Sequence, residues 1–107
     1  MTTRPLKPQL FHILLALAEG ALHGYGIQRS VLDRTEGGLM LWPATLYRML
    51  TQLESEGLIE GAAKPAVEPE DERRQYYALT KAGRKRLRAE ADDMAKWAAA
   101  VRQARTG

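Results

Sequence analysis

Five polar side chains lie close together in the segment 42–60, whose sequence is WPATLYRMLTQLESEGLIE: Thr45, Tyr47, Arg48, Thr51 and Gln52. An arginine can bind both major-groove acceptors of a guanine, and a glutamine can bind the corresponding pair of groups on an adenine. Hydroxyl groups bind bases or phosphate oxygens. The group therefore has the chemistry needed to contact a nucleic acid, although an ordinary solvent-exposed helix carries similar residues.

The apolar residues of the same segment predict the helix that would position these side chains. Leu46, Leu50 and Leu53 recur at helical spacing and form one inward face, so the polar residues lie away from it. Pro43 suits the first helical position, where a backbone N–H would have no partner. Gly57 suits the left-handed residue just past the end, as in a Schellman cap.

Similar patterns before and after this segment predict the other elements. We expect helices at 8–19, 23–36, 43–56 and 81–105, and strands at 58–62 and 75–79. This order is that of a winged helix-turn-helix, in which the third helix enters the major groove and the hairpin reaches the flanking backbone. The predicted fold is mainly α with a small two-stranded β wing. Residues 1–80 would be the DNA-binding domain and 81–107 a dimerisation helix, in one compact unit.

The last predicted helix carries a heptad seam. Apolar residues recur at spacings of four and three, at Leu87, Ala91, Met94, Ala98 and Val101, with Trp97 beside them. A helix of this length extends for about 37 Å, which is more than a small domain can cover along its length. We therefore expect a second copy of the chain to pack on the seam.

Composition and charge narrow the class of protein. The 107 residues suit one domain, and the absence of cysteine excludes disulfides and thiolate metal sites. With no cysteine, a cytoplasmic protein is the simplest interpretation. No apolar run approaches the roughly 20 residues that span a bilayer. The net charge is +3, and residues 73–88 hold seven basic and no acidic side chains. Such a run attracts phosphate or forms a solvated helix face, and charge alone does not decide between them.

No catalytic or metal site is expected. His12 and His23 stand eleven positions apart with no third ligand at a metal-binding spacing, so we interpret them as a packed helix histidine and a turn histidine. No set of residues suggests an enzyme or a cofactor.

Tyr76 and Tyr77 should face opposite sides of a strand, one in the core and the other towards DNA or solvent. Trp42 is expected to pack against the body and fix the entry of the third helix.

Several segments together resemble the PadR family of bacterial transcription regulators. They are HGYGI at 23–27, ATLYRMLTQLESEGLIE at 44–60 and RRQYYALTKAG at 73–83, along with the apolar first helix. The resemblance covers about residues 8–90 and extends to spacing as well as residue type. It implies a homodimeric winged-helix protein, usually a repressor that an effector releases from a palindromic operator, here of the subgroup with a single C-terminal helix.

The resemblance also implies roles for individual residues. The expected DNA contacts are Tyr25 at the phosphate backbone, the third-helix residues Ala44, Thr45, Tyr47, Arg48, Thr51 and Gln52, and the wing residues Lys64, Arg73 and Arg74. The expected dimer interface comprises Leu10, Phe11, Leu14, Leu87, Ala91, Met94, Trp97, Ala98 and Val101. Trp97, Met94 and Phe11 are candidates to bind a small hydrophobic effector, although Trp97 would equally suit a plain dimer core.

Two departures from the family pattern affect these expectations. Gly26 stands where the family has an acidic or longer residue, so we expect a looser start of the second helix than is usual in the family. The wing loop EPEDE at 68–72 is acidic, so we expect the loop base rather than its tip to contact phosphate. A protein-docking module and a small-molecule sensor stay open as alternative functions.

Overall fold

The computed structural model describes residues 4–64 and 74–104 of the chain. In this part there are four helices and three short strands. They are α1 (Pro8–Ala16), β1 (Leu22–His23), α2 (Gly24–Arg34), α3 (Pro43–Ser55), β2 (Ile59–Ala62), β3 (Tyr76–Leu79) and α4 (Lys81–Gln103). The predicted order of helices and of the wing hairpin is confirmed. The helices are shorter than predicted. The loss is largest for α1, which ends at Ala16 instead of residue 19, and for α2, which spans Gly24–Arg34 instead of 23–36.

The predicted two-stranded wing is present as β2 and β3, and β1 adds a third strand to the sheet that was not predicted. The strand order is β1-β3-β2 with antiparallel pairing, and β1 pairs Leu22 with Tyr77 and His23 with Tyr76. A strand of two residues is too short to show an alternating pattern, and it forms here because β3 offers a free edge. The sheet thereby links the start of α2 directly to the wing.

The core lies between the first three helices and the inner face of the sheet. Its buried members include Leu10, Ile13, Leu14, Leu17, Ile27, Val31, Leu41, Leu46, Leu50, Leu53, Ile59 and Leu79. Leu10 and Leu14 were expected at the dimer interface, but they are only 4% and 0% exposed within a single chain. They offer almost no surface to a second copy, so the dimer proposed below relies on exposed residues, and the expected interface role of Leu10 and Leu14 stays a prediction. Phe11 is half-buried and remains in the interface set.

Tyr76 and Tyr77 are both buried, which corrects the expectation that only one would be. They still face opposite sides of β3, since Tyr77 belongs to the main core and Tyr76 does not. The extra cover for Tyr76 comes from the unexpected strand β1. The His23 ring meets the Tyr76 ring edge-on, with 5.2 Å between the centroids.

The entry to α3 is fixed by Leu41 and not by Trp42, so the packing role expected for Trp42 was wrong. Trp42 is 66% exposed, whereas Leu41 is buried in the core. The Gln28 side chain also donates a hydrogen bond from Nε2 to the Leu41 carbonyl, at 2.6 Å. The segment before α3 is therefore held against α2.

The end of α3 is a Schellman cap, as predicted. Gly57 has φ of 75°, the Gly57 N–H donates to the Glu54 carbonyl, and the Leu58 N–H donates to the Leu53 carbonyl, both at 3.0 Å. Thr80 then caps α4, because its Oγ1 accepts from the Gly83 N–H at 3.0 Å. The Schellman cap at the end of α3 also turns the chain directly into β2.

The start of α4 touches the backbone that follows α3. Gly83 is buried, and a Cβ atom placed on it would lie 1.9 Å from the Leu58 carbonyl oxygen. The Thr80 hydroxyl donates to the Gly57 carbonyl at 2.6 Å, and the Thr80 N–H donates to the Leu58 carbonyl at 3.1 Å. Only a glycine at position 83 allows this close approach.

The distal half of α4 projects from the rest of the chain. All residues from 91 to 104 are exposed, and the longest dimension of the molecule is 58 Å against 33 and 26 Å for the others. Within residues 4–64 and 74–104, no helix combines the length and apolar character needed to cross a membrane.

We predict that Gly83→Ala lowers the free energy of unfolding by about 3 kcal/mol or more, because the added methyl group overlaps backbone that cannot move aside. Urea denaturation followed by circular dichroism measures the loss. The control is Lys85→Ala on the exposed side of the same helix, which should change stability by less than about 0.5 kcal/mol. Equal urea midpoints for Gly83→Ala and the parent would contradict the close approach.

Candidate nucleic-acid interface

The polar face of α3 is directed away from the core. Its three leucines, at 46, 50 and 53, are buried, and the helix is fixed at both ends as described above. On the opposite side Ala44, Tyr47, Arg48, Thr51 and Gln52 are exposed, and Thr45 is half-buried. The structure thus brings all six α3 residues expected at a DNA contact to the outer side of one rigid element.

Two of these polar side chains are already bound within the helix. The Thr51 hydroxyl donates to the Tyr47 carbonyl at 2.9 Å, and the Gln52 Nε2 donates to the Glu56 carboxylate at 3.0 Å. Arg48 differs, since no hydrogen-bond acceptor or ion-pair partner for its guanidinium occurs among the residues that the structure describes. The Arg48 guanidinium is therefore available to donate hydrogen bonds to an acceptor outside the chain.

The start of α2 lies beside this face and is capped by His23. The His23 Nδ1 accepts from the Gly26 N–H at 3.0 Å, so the first turn is held in spite of its two glycines. The exposed Tyr25 ring lies nearly parallel to the His23 ring, with 6.3 Å between centroids and 14° between planes. The looser start of α2 that Gly26 suggested is therefore offset by a side-chain cap.

His23 also contacts the base of the wing. The His23 Nε2 lies 2.8 Å from Nη1 of Arg74. Both this Nη1 and the Gly26 N–H, which faces Nδ1 on the other side of the ring, are hydrogen-bond donors. A neutral imidazole has one acceptor nitrogen, so in each tautomer only one of these contacts is a hydrogen bond. The short distance places Arg74 beside the start of α2, so two expected DNA-contacting residues, Tyr25 and Arg74, lie next to the same histidine.

The half-exposed Tyr47 phenol lies against the first turn of α2. A Cβ atom on Gly24 would lie 2.6 Å from its hydroxyl oxygen, so the ring sits directly over the first turn of α2. Burial raises the pKa of the neighbouring Tyr77 phenol above its usual value, and proximity to Glu54 and to Tyr47 adds to this. Beside the Tyr47 ring is an open cavity of about 210 Å³ between α2 and α3.

The wing is described only at its base. Lys64 is half-buried and Arg74 is exposed. Arg73 and the acidic loop at 68–72 lie outside the residues that the structure describes, so their expected roles stay predictions. The base of the wing is nevertheless adjacent to α2 through Arg74.

The basic run divides into two parts on α4. Lys81, Arg84, Lys85 and Arg88 are exposed and line a shallow cavity of about 250 Å³. Arg86 is half-buried and has a structural role, since it donates to the Arg4 carbonyl and pairs with Glu90 at 3.2 Å. Glu90 in turn accepts from the Leu6 N–H at 3.2 Å. Charge counted along the sequence therefore overstates the basic surface that α4 presents.

The heptad seam of α4 is exposed in the single chain. Met94, Trp97 and Val101 are 44%, 60% and 73% exposed, and Ala91 and Ala98 are exposed as well. Leu87, at the start of the seam, is half-buried and packs on the core. The Lys96 ammonium lies 5.2 Å from the centre of the Trp97 ring.

The described residues contain no group of three or more His, Cys, Asp or Glu side chains that could hold a metal ion. His12 packs edge-on against Phe11 in α1, at 5.5 Å. His23 is more than the turn histidine that its sequence context indicates, since it caps α2, covers Tyr76 and contacts the wing. Its position just before Gly24 was a signal for a cap, but histidine is not among the residue types that usually cap helices.

A family model and several solved structures identify the same family of proteins as similar to this chain. A sequence model of the Transcriptional regulator PadR-like family matches residues 13–89. A curated relative, an uncharacterized 37.1 kDa protein in transposon TN4556 of Streptomyces fradiae, is 40% identical over 86 residues. The match covers 78% of this chain and 22% of the relative, so the chain spans about a fifth of that protein's length.

Solved structures share the fold. A PadR family transcription regulator from Clostridium difficile R20291 matches with a TM-score of 0.75 and 24% identity, over 91% of this chain and 97% of that one. PadR from Bacillus subtilis, in complex with operator DNA, matches with a TM-score of 0.63 and 23% identity, over 78% and 46% of the two chains. The arrangement of α1–α3 with a small sheet is thus the winged-helix fold of these regulators.

Proposed function

The chain belongs to the PadR-like family of transcriptional regulators, and from this membership we propose that it binds operator DNA through α3 and the wing. This family consists of regulators and not of enzymes. One observation carries the proposal: α3 is anchored at both ends, and its outer side exposes Tyr47, Thr51 and Arg48, whose guanidinium has no partner in the part of the chain that the structure describes. The operator complex of B. subtilis PadR, which has the same fold, supports it.

The two kinds of contact have different tasks. Arg48 and the neighbouring α3 residues contact base edges and supply sequence specificity. Tyr25 at the start of α2, together with Lys64, Arg73 and Arg74 at the wing, contacts the phosphate backbone and fixes the position of the protein on the duplex. Support comes from the contact of Arg74 with His23, which places one wing residue next to α2.

The regulator acts as a homodimer in this proposal. The exposed seam of α4 supports a second copy as its cover, because exposed Met94, Trp97 and Val101 on one helix face favour burial. Leu87, Ala91, Ala98 and the half-buried Phe11 complete the interface set. A two-fold dimer presents two α3 helices about 34 Å apart, which suits a palindromic site. Binding over a promoter in the cytoplasm would repress transcription.

We predict that Arg48→Ala weakens binding to the DNA upstream of the gene by about tenfold and has little effect on unrelated DNA, since a specific base contact is lost. Arg74→Ala should weaken binding to both DNAs and lower the slope of log affinity against log salt by about one per bound chain. Fluorescence anisotropy with labelled duplexes at several salt concentrations measures both effects.

Arg34→Ala is the control for charge, because it removes the same charge at the opposite end of α2. It should leave the salt slope unchanged. An unchanged slope for Arg74→Ala would remove Arg74 from the phosphate contact. The absence of any shift of upstream DNA by the parent chain at low salt would instead favour a protein-docking module.

The dimer is tested by two matched substitutions. Ala98→Glu places a charge in the seam and should weaken dimerisation by about 100-fold or more, since the carboxylate would be buried without a partner. Ala100→Glu makes the same change about 200° further round the helix and should have no such effect. Sedimentation velocity over a range of concentrations distinguishes them. A parent chain that is monomeric throughout, or equal effects of both variants, would contradict the proposed interface.

A small planar effector at the dimer interface is the last part of the proposal. Trp97 and Met94 are exposed on α4 and Phe11 is half-buried on α1, so two copies of each would line an apolar slot. Binding there would change the relative position of the two α3 helices and release the operator.

In a Trp42→Phe background only Trp97 fluoresces. We predict that titration with the planar aromatic 9-aminoacridine quenches and shifts its emission in a saturable manner, because stacking changes the surroundings of the indole. Cyclohexanol, which is apolar but not planar, should leave the emission unchanged. The same emission with and without 9-aminoacridine would leave Trp97 as plain interface core.

A further inference from the structure

Gly24 makes room for a side chain of the proposed recognition helix α3. It is buried at the first position of α2, and a Cβ atom on it would lie 2.6 Å from the hydroxyl oxygen of Tyr47 and 3.0 Å from Cζ. Gly26, two positions further along the same turn, differs clearly. A Cβ atom there would have its nearest neighbour at 3.4 Å, on Leu22, which is ordinary van der Waals contact.

The kind of atom that is approached decides what an added methyl group would do. The atoms nearest to Gly24 belong to the outer end of the Tyr47 ring and not to the backbone. The ring is half-exposed and borders the open cavity between α2 and α3, so it has space to move. Alanine at position 24 therefore displaces the Tyr47 ring and leaves the fold in place, unlike alanine at position 83, which meets backbone.

The displacement is large for a binding surface. To restore ordinary contact the hydroxyl would have to move from 2.6 Å to 3.4 Å, a shift of 0.8 Å. Binding groups need to be held within about 0.5 Å of their working position. Tyr47 lies one helical turn from both Ala44 and Thr51, which are exposed on the same helix. A shift of Tyr47 thus affects the centre of the exposed face.

We propose that Gly24 is a positioning residue for sequence recognition: its lack of a side chain seats Tyr47 against α2 and so sets the shape of the DNA-binding side of α3. This inference rests on the proposed function, since it concerns how that face discriminates between DNA sequences. Gly24 itself contacts Tyr47 and needs no contact with DNA. Its effect is on specificity, with the phosphate contacts of Tyr25 and Arg74 left in place.

The test compares four variants with the parent: Gly24→Ala, Gly26→Ala, Tyr47→Phe and the double variant Gly24→Ala/Tyr47→Phe. Each is assayed for affinity to an upstream duplex that the parent binds and to an unrelated duplex of equal length. Gly24→Ala should lower the affinity for the upstream duplex by about tenfold and change that for the unrelated duplex by less than about twofold. Gly26→Ala should stay within about twofold of the parent on both.

The Tyr47→Phe background tests whether Gly24→Ala acts through the Tyr47 hydroxyl group. Removal of the hydroxyl leaves Cζ, at 3.0 Å, as the nearest ring atom, so in this background Gly24→Ala should cost clearly less than it does in the parent. Contacting residues show such non-additive effects, whereas independent residues do not. A purely structural role for Gly24 would not produce recovery of discrimination when a hydroxyl group is removed from another helix.

Several results would overturn the inference. One is a Gly24→Ala variant that discriminates between the two duplexes as well as the parent does. Another is an equal cost of Gly24→Ala with Tyr47 or Phe at position 47. A third is unfolding of both Gly24→Ala and the double variant, as seen by circular dichroism. That result would show that the ring of residue 47 does not move aside for the added methyl group. If the parent binds neither duplex, it is the proposed function that fails, whatever the variants do.

Discussion

The backbone of Leu58 connects the three parts of the molecule. Its N–H closes the Schellman cap of α3 on the Leu53 carbonyl. Its carbonyl accepts from the Thr80 N–H and abuts Gly83, where α4 begins. One peptide segment thus ends the helix that carries the polar face, enters the sheet and receives the long helix. Because these contacts use backbone atoms and a buried glycine, side-chain rearrangement cannot loosen them, and α3 is held firmly relative to the start of α4.

This connection gives the proposed regulation a physical basis. In the proposed dimer the distal part of α4 contacts the partner, while its first turn is fixed to the end of α3. A change in how two α4 helices cross would therefore move the two α3 helices as rigid bodies and alter their spacing on DNA. The second fixed point is the Arg86–Glu90 pair, which binds the backbone of residues 4 and 6 and so ties the segment before α1 to α4. The segment before α1 and the end of α3 are thus both bound to α4, and both would move with it.

The sequence was sufficient for features that depend on local pattern. Leucine spacing located α3 and its outer face, Pro43 and Gly57 marked its ends, and Thr80 marked the start of α4. Features that depend on contacts between distant segments were missed. Strand β1 exists only through pairing with β3, and the Gly24–Tyr47 contact joins two helices. Local pattern also could not separate Leu41 from Trp42 as the buried neighbour of α3.

Apolar residues posed a related problem, since hydrophobicity does not reveal which surface buries a residue. Leu10 and Leu14 have the same character as the seam of α4, yet they are buried in the chain's own core, whereas Met94, Trp97 and Val101 are exposed. The difference arises from length: α1 has nine residues and is covered by its neighbours, but α4 has 23 and extends beyond them. The length that leaves the seam uncovered in one chain also provides the surface on which a two-fold partner could pack. Under the proposed function a single chain with one α3 helix would contact half of a palindrome. Pairing of two chains along the exposed seam would then match the two-fold symmetry of the proposed operator.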